Sequence, residues 1–211
     1  MTIIVAVHGA EGIAVGSDQR RFEIDGSHRD DYPKAFRLTK DLLIAHAGLL
    51  EIGGVKLETL IRSAGPASTD ANVQSAARLA ADAIIERLRA SDHQEAIEVL
   101  LIGRATSTAR GLGELRAFRI ERVLDRYEVQ TPPGIESWTG PEMRALGDGP
   151  ARAAVAKLAG TMNFKQMKQK DLNLRVSELI REGIRASGPH QHFPHEKTCG
   201  GAPHVFQRKL T

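Results

Sequence analysis

Apolar residues come first in short β-branched blocks and then at helical spacing, and this order occurs twice along the chain. Thr2 to His8 and Ile13 to Asp18 are β-branched and apolar, and Gly9-Ala10-Glu11-Gly12 between them reads as a hairpin turn. Ala35 to Leu38 and Leu42 to Ala47 predict a second strand pair across Thr39-Lys40-Asp41, with the apolar run ending at Gly48. Leu49 to Arg62 then predicts a helix closed by Gly65-Pro66. Ser68-Thr69-Asp70 predicts the cap of a second helix reaching Arg89, with Val73, Ala76, Ala77, Ala80, Ala81, Ile84 and Leu88 on one face.

The second round begins at Ala96. Ile97 to Ile102, Glu114 to Ile120 and Val123 to Val129 predict strands, and Trp138 after Thr131-Pro132-Pro133 reads as part of a surface loop. Met143 to Leu146 is a short strand feeding Gly147-Asp148-Gly149-Pro150, and Ala151 to Ala159 and Lys168 to Ala186 predict helices. Antiparallel strand pairs with helices in two blocks point to an α+β fold. Two sheets would lie face to face with helices outside each, a four-layer αββα sandwich. No internal repeat, low-complexity tract or interdomain linker interrupts the pattern, and residues 1–211 are expected to form a single domain.

Composition narrows the function classes. Hydrophobic residues at 41% and charged residues at 26% are ordinary for a soluble globular chain. The formal net charge is +3, and the Lys and Arg residues are scattered among acids. Aromatic residues at 4% leave few stacking platforms, so nucleic acid is not an expected partner. Nor is a membrane, since no apolar run approaches the roughly 20 residues of a span. The N-terminus lacks the charged and apolar regions of a signal peptide, and the single cysteine, Cys199, fits a reducing compartment. A cytoplasmic location is expected. Cys199 itself reads as a small buried residue rather than a nucleophile.

Candidate chemistry gathers at the beginning. Once Met1 is removed, Thr2 becomes a chain-terminal residue that carries both a hydroxyl nucleophile and its own amine base. Asp18 ends the strand that hairpins back along the first, and Lys34 opens the third strand, so both can return to the chain start. An α-amine with a reference pKa of about 7.7–8.0 serves as a base near neutral pH. A nearby lysine favours the ionised hydroxyl, and an aspartate holds the lysine. Spacing alone leaves a plainer alternative open, in which Asp18 closes a turn and Lys34 is a solvated strand-end charge.

The segments Thr2-Ile3-Ile4-Val5, Gly16-Ser17-Asp18-Gln19-Arg20, Lys34-Ala35-Phe36-Arg37-Leu38 and Ala45-His46-Ala47-Gly48 resemble the N-terminal half of proteasome β-type subunits and of the bacterial relative HslV. The similarity covers the first ~50 residues well and extends more loosely to Leu146-Gly147-Asp148-Gly149 and Gly200-Gly201. It implies an N-terminal-nucleophile hydrolase with the αββα sandwich, a threonine endopeptidase acting on polypeptide substrates without a cofactor. Thr2 would be nucleophile and base, Asp18 and Lys34 the pair that tunes it, and the Gly48 backbone N–H the oxyanion donor. Arg21, Tyr32, His46 and Leu50 match the positions lining the pocket for the residue before the cleaved bond. A self-compartmentalising homo-oligomeric ring is implied, with an ATPase unfoldase as a possible partner.

The chain also departs from that family. Gly147-Asp148-Gly149 stands where the family has Gly-Ser-Gly, and Ala186-Ser187-Gly188-Pro189-His190-Gln191-His192 holds no counterpart of the aspartate the family carries after its last long helix. Asp148 is therefore a candidate for part of the missing acid's work, the alternative being a weakened or inactive subunit used for assembly. A third reading comes from His190, His192, His195, Cys199 and His204, whose imidazoles and thiolate are good zinc ligands. Their spacing fits no established zinc signature, which favours a solvated loop or one packed near the substrate cleft, and no metal is expected.

Overall fold

The computed structural model of the chain describes residues 2–22, 25–64, 72–91, 93, 96–104, 113–130, 141–190 and 192–209. Strands β1 (Ile3–His8) and β2 (Gly12–Ser17) form the first hairpin; β3 (Arg21–Phe22) and β4 (His28–Arg29) form a small second one. β5 (Ala35–Arg37) and β6 (Leu42–Ala47) pair next, followed by a tight hairpin of β7 (Glu51–Ile52) and β8 (Val55–Lys56). Helices α1 (Leu57–Ala64) and α2 (Val73–Ser91) precede β9 (Ile97–Arg104), β10 (Gly113–Val123), β11 (Arg126–Gln130) and β12 (Met143–Gly147). Helices α3 (Gly149–Ala159) and α4 (Gln169–Ala186) and strand β13 (His204–Lys209) complete the order.

Two antiparallel sheets dominate, one of four strands ordered β12-β1-β2-β13 and one of five ordered β11-β10-β9-β6-β5. Side-chain alternation explains how they stack. Ile4, Ala6, Ile13 and Val15 of the first sheet meet Leu43, Ala45, Leu100 and Leu115 of the second in one apolar cluster. The opposite faces of β1 and β2 turn Ile3, Val5, Val7 and Ala14 onto α3 and α4, where Val155, Leu172, Val176 and Ile180 lie. Leu42, Ile44, Val99 and Leu101 face Ile61, Val73, Ile84 and Leu88 of α1 and α2. β1 is thus apolar at successive positions because helices cover one face and a sheet the other. Ile3, Ile4, Val5 and Val7 are fully buried, each worth about 1.5–3 kcal/mol of hydrophobic stabilisation.

Several predicted boundaries move. The helix expected from Leu49 starts only at Leu57, because Gly53 and Gly54 adopt positive φ and close the β7–β8 hairpin where the helix was expected to run. α2 carries the predicted buried face, with Ala77 packed at its margin. Ser68-Thr69-Asp70, Gly65-Pro66 and Trp138 lie outside the described residues. Among the described residues the α2 cap is Asn72, whose Oδ1 accepts the Ser75 N–H at 2.7 Å. The turn placed between Ile120 and Val123 falls instead at Leu124-Asp125, with Leu124 at φ 56°. No helix among the described residues is long and apolar enough to cross a membrane.

Candidate active site

One end of the sandwich collects the candidate chemistry, because β1, β5 and β9 begin there while β2, β6 and β12 end there. Asp18 follows β2 and finishes its ladder in an unusual way. Its backbone N–H donates to the Ile3 carbonyl at 3.2 Å, but the Ile3 N–H is taken by the Asp18 side chain, Oδ1, at 3.0 Å. The carboxylate thereby stands beside the peptide that joins Thr2 to Ile3. Lys34 precedes β5 in the other sheet, and its Nζ lies 3.3 Å from both Asp18 oxygens. Both side chains are buried. Asp18 Oδ2 also accepts the N–H groups of Arg20 and Gly200, each at 3.2 Å. Burying a carboxylate is costly unless it is paired and hydrogen-bonded, and Asp18 has both a lysine partner and three backbone N–H donors. The plainer picture of Lys34 as a solvated strand-end charge is set aside by its burial.

Thr2 is itself buried and is gripped from β12. Its carbonyl accepts the Asp148 N–H at 2.8 Å, continuing the register that pairs Ile3 with Gly147. Gly147 has φ 102°, and a Cβ there would fall 1.7 Å from the Thr2 oxygen, so glycine is required at this crossing. Asp148 has a defined structural task. Its Oδ2 caps α3 by accepting the Ala151 N–H at 3.0 Å and also accepts the Gly188 N–H at 3.4 Å. Gly48 follows β6 at the same end with φ 96°, and a Cβ would meet the Ala96 carbonyl oxygen at 2.2 Å.

The four positions predicted to line a pocket do come together. The Arg21 guanidinium lies over the Tyr32 ring at 5.7 Å, the Tyr32 hydroxyl donates to the Leu50 carbonyl at 3.4 Å, and the Tyr32 and His46 rings meet edge-on at 6.4 Å. Burial, with Glu51 and Glu58 nearby, raises the Tyr32 pKa against the pull of Arg21. His46 is fully buried on β6, and its pKa is pushed down to about 3, chiefly by burial and then by Lys34. Its backbone N–H donates to the Lys34 carbonyl at 2.9 Å. Among the described residues neither ring nitrogen of His46 has a hydrogen-bond partner.

No protein-family model and no curated protein matches this chain. The site therefore rests on its own geometry.

His190 and His192 have ring centroids 5.9 Å apart, His195 is exposed, Cys199 is buried and His204 lies on β13. Among the described residues no group of three His, Cys, Asp or Glu converges to hold a metal ion. His190 packs into a cluster of three rings, 3.9 Å from Phe22 and 5.1 Å from Phe193, which themselves lie 5.5 Å apart. Cys199 lies beside both site carboxylates; burial first, then Asp18 and Asp148, raises its pKa and keeps it a thiol.

Three acidic contacts were not anticipated. Arg20 makes a two-pronged pair with Asp30, at 2.8 and 2.9 Å, and Glu196 lies 3.9 Å from Arg20 and 3.3 Å from His28 Nδ1. Glu196 is the tail carboxylate that reaches this neighbourhood. Its signal in the sequence was an acid four residues before the glycine whose N–H binds Asp18.

Proposed function

We propose that the chain is a threonine peptidase of the N-terminal-nucleophile type, with Thr2 as nucleophile after Met1 is removed. The observation that supports this best is the convergence of Lys34 Nζ and the Ile3 N–H on the buried Asp18 carboxylate, beside Thr2. The free α-amine of Thr2 takes the proton from its own hydroxyl as the oxygen attacks the scissile carbonyl. Lys34 favours the negative charge on that oxygen, and Asp18 holds Lys34 in place. The Gly48 N–H stabilises the oxyanion of the tetrahedral adduct. The protonated amine then passes its proton to the departing peptide amine, leaving an ester on Thr2 that water hydrolyses by the same route in reverse. Arg21, Tyr32, His46 and Leu50 border the pocket for the residue before the cleaved bond. No cofactor enters these steps.

The wider reading follows from the same resemblance: the N-terminal-nucleophile αββα fold, a cytoplasmic homo-oligomeric ring that encloses the sites, and an ATPase unfoldase as the partner that delivers polypeptide. The test is a peptide carrying an electrophilic warhead, followed by intact mass. The expected result is one adduct on chains that lack Met1 and none on chains that keep it, since an acylated Thr2 nitrogen has no basic lone pair. Thr2→Ala is expected to reduce fluorogenic-peptide hydrolysis to background, and Lys34→Ala to slow it by about 10²-fold or more, the scale of losing a positioned acid–base or charge partner. Turnover by Thr2→Ala at the wild-type rate would sink the proposal. A folded, Met1-free wild type that forms no adduct would favour the inactive assembly subunit.

A further inference from the structure

The segment between α4 and β13 is tied to both site carboxylates at once. At one foot the Gly188 N–H donates to Asp148 Oδ2 at 3.4 Å; at the other the Gly200 N–H donates to Asp18 Oδ2 at 3.2 Å. Between the feet the segment folds back on itself. Pro189 bridges to Lys197, and the His190 N–H donates to the Glu196 carbonyl at 2.8 Å. The closure is made by Thr198. Its N–H donates to the Gly188 carbonyl at 3.0 Å, and its hydroxyl donates to the same oxygen at 2.9 Å, sharing with the Pro189 carbonyl at 3.2 Å. Thr198 is fully buried, so water does not compete for these bonds.

The feet have little freedom elsewhere. Gly200 carries the Arg20 side chain directly against it, with a Cβ position only 2.2 Å from Arg20 Nε, and its carbonyl accepts the Gln19 N–H at 3.0 Å. Thr198, two residues before Gly200, is tied to the Gly188 carbonyl by both its N–H and its hydroxyl, so it joins the two arms next to the Gly200 foot. We propose that Thr198 is a positioning residue for the Thr2 reaction: its hydroxyl clasps the 188–200 segment shut, so that both feet present N–H donors to Asp148 and Asp18. This rests on the peptidase reading above. With the clasp open, Asp18 keeps Lys34 but loses one of its backbone donors, and the pair is less well placed beside Thr2.

The test compares Thr198→Val, which keeps the shape and removes the hydroxyl, with Thr198→Ser, which keeps the hydroxyl, in the full chain after Met1 removal. Amide hydrogen exchange at Gly188 and Gly200 should quicken by roughly tenfold in Thr198→Val and stay near wild type in Thr198→Ser, the scale set by one buried hydrogen bond. In the same variant kcat should fall by roughly three- to tenfold with KM nearly unchanged, and Thr198→Ser should restore it. Should Thr198→Val fail to fold, Thr198→Ala serves the same comparison. Unchanged exchange at the two glycines overturns the clasp, and unchanged kcat with quickened exchange overturns its role in the reaction. A wild-type chain with no turnover overturns the role by removing the reaction, and the exchange rates then tell that failure from a failure of the clasp itself.

Discussion

Fully buried on β6 between the rings of Tyr32 and Phe36, His46 has no hydrogen-bond partner for either nitrogen among the described residues. Burial keeps it neutral down to about pH 3, while in the unfolded chain it takes a proton near its ordinary value of 6.5. The unfolded state therefore binds the extra proton, and stability falls as pH drops from 6.5 towards 3, by up to about 1.4 kcal/mol per pH unit. Above that window the ring contributes no pH dependence. At neutral pH His46→Leu should stabilise the chain by about 1 kcal/mol, because it removes polar atoms buried without partners. Its advantage over wild type should widen as urea denaturation is repeated at pH 6, 5 and 4. Parallel losses for the two proteins would show that the ring is not what titrates. In the sequence His46 was legible only as a pocket position; that its ring is buried without a hydrogen-bond partner depends on β5 and β9 flanking β6, which no local pattern reveals.

At the scale of elements, the regular segments were legible where side-chain period and burial agree. β1, β2, β6 and β9 have both faces covered and are apolar at most successive positions, and α2 shows its buried stripe plainly. The errors share a cause, which is that short elements are fixed by backbone conformation rather than by apolar period. Gly53 and Gly54 turn the expected start of a helix into a hairpin, and Leu124 in the left-handed region makes the β10–β11 turn. No strand is predicted over β13, because its partly exposed HVFQRK has little alternation; its pairing with β2 across the length of the chain defines it. Gly147 offers the sharpest test at this scale. Gly147→Ala would drive a methyl into the Thr2 carbonyl at positive φ, so the β1–β12 crossing must open. A loss of about 3 kcal/mol or more in denaturant unfolding is expected, well above the cost of an ordinary surface exchange. A loss below about 0.5 kcal/mol would mean the crossing is looser than its geometry implies.

Across the whole molecule, the cluster between the sheets joins the two halves, and Leu100 lies fully buried within it. Leu100→Ala should cost about 2–5 kcal/mol and lower the single calorimetric transition by roughly 5–15 °C. Two separated transitions would show that the sheets do not share one core. Assembly is tested separately: the proposed ring predicts sedimentation well above 23.0 kDa at micromolar concentration, and a monomer would count against it.

The donors that hold Asp18 come from residues 3, 20, 34 and 200, the last separated from it by 182 positions. Such a carboxylate is completed late in biosynthesis. While the ribosome is still extruding the chain, Lys34 can find Asp18, but the Gly200 amide does not yet exist to meet it, nor does Gly188 to meet Asp148. An emerging chain therefore carries Thr2 for most of its synthesis without the finished surroundings that the proposed chemistry needs. Asp18 therefore gains its full set of donors only after residue 200 has been translated, long after Lys34 has become available.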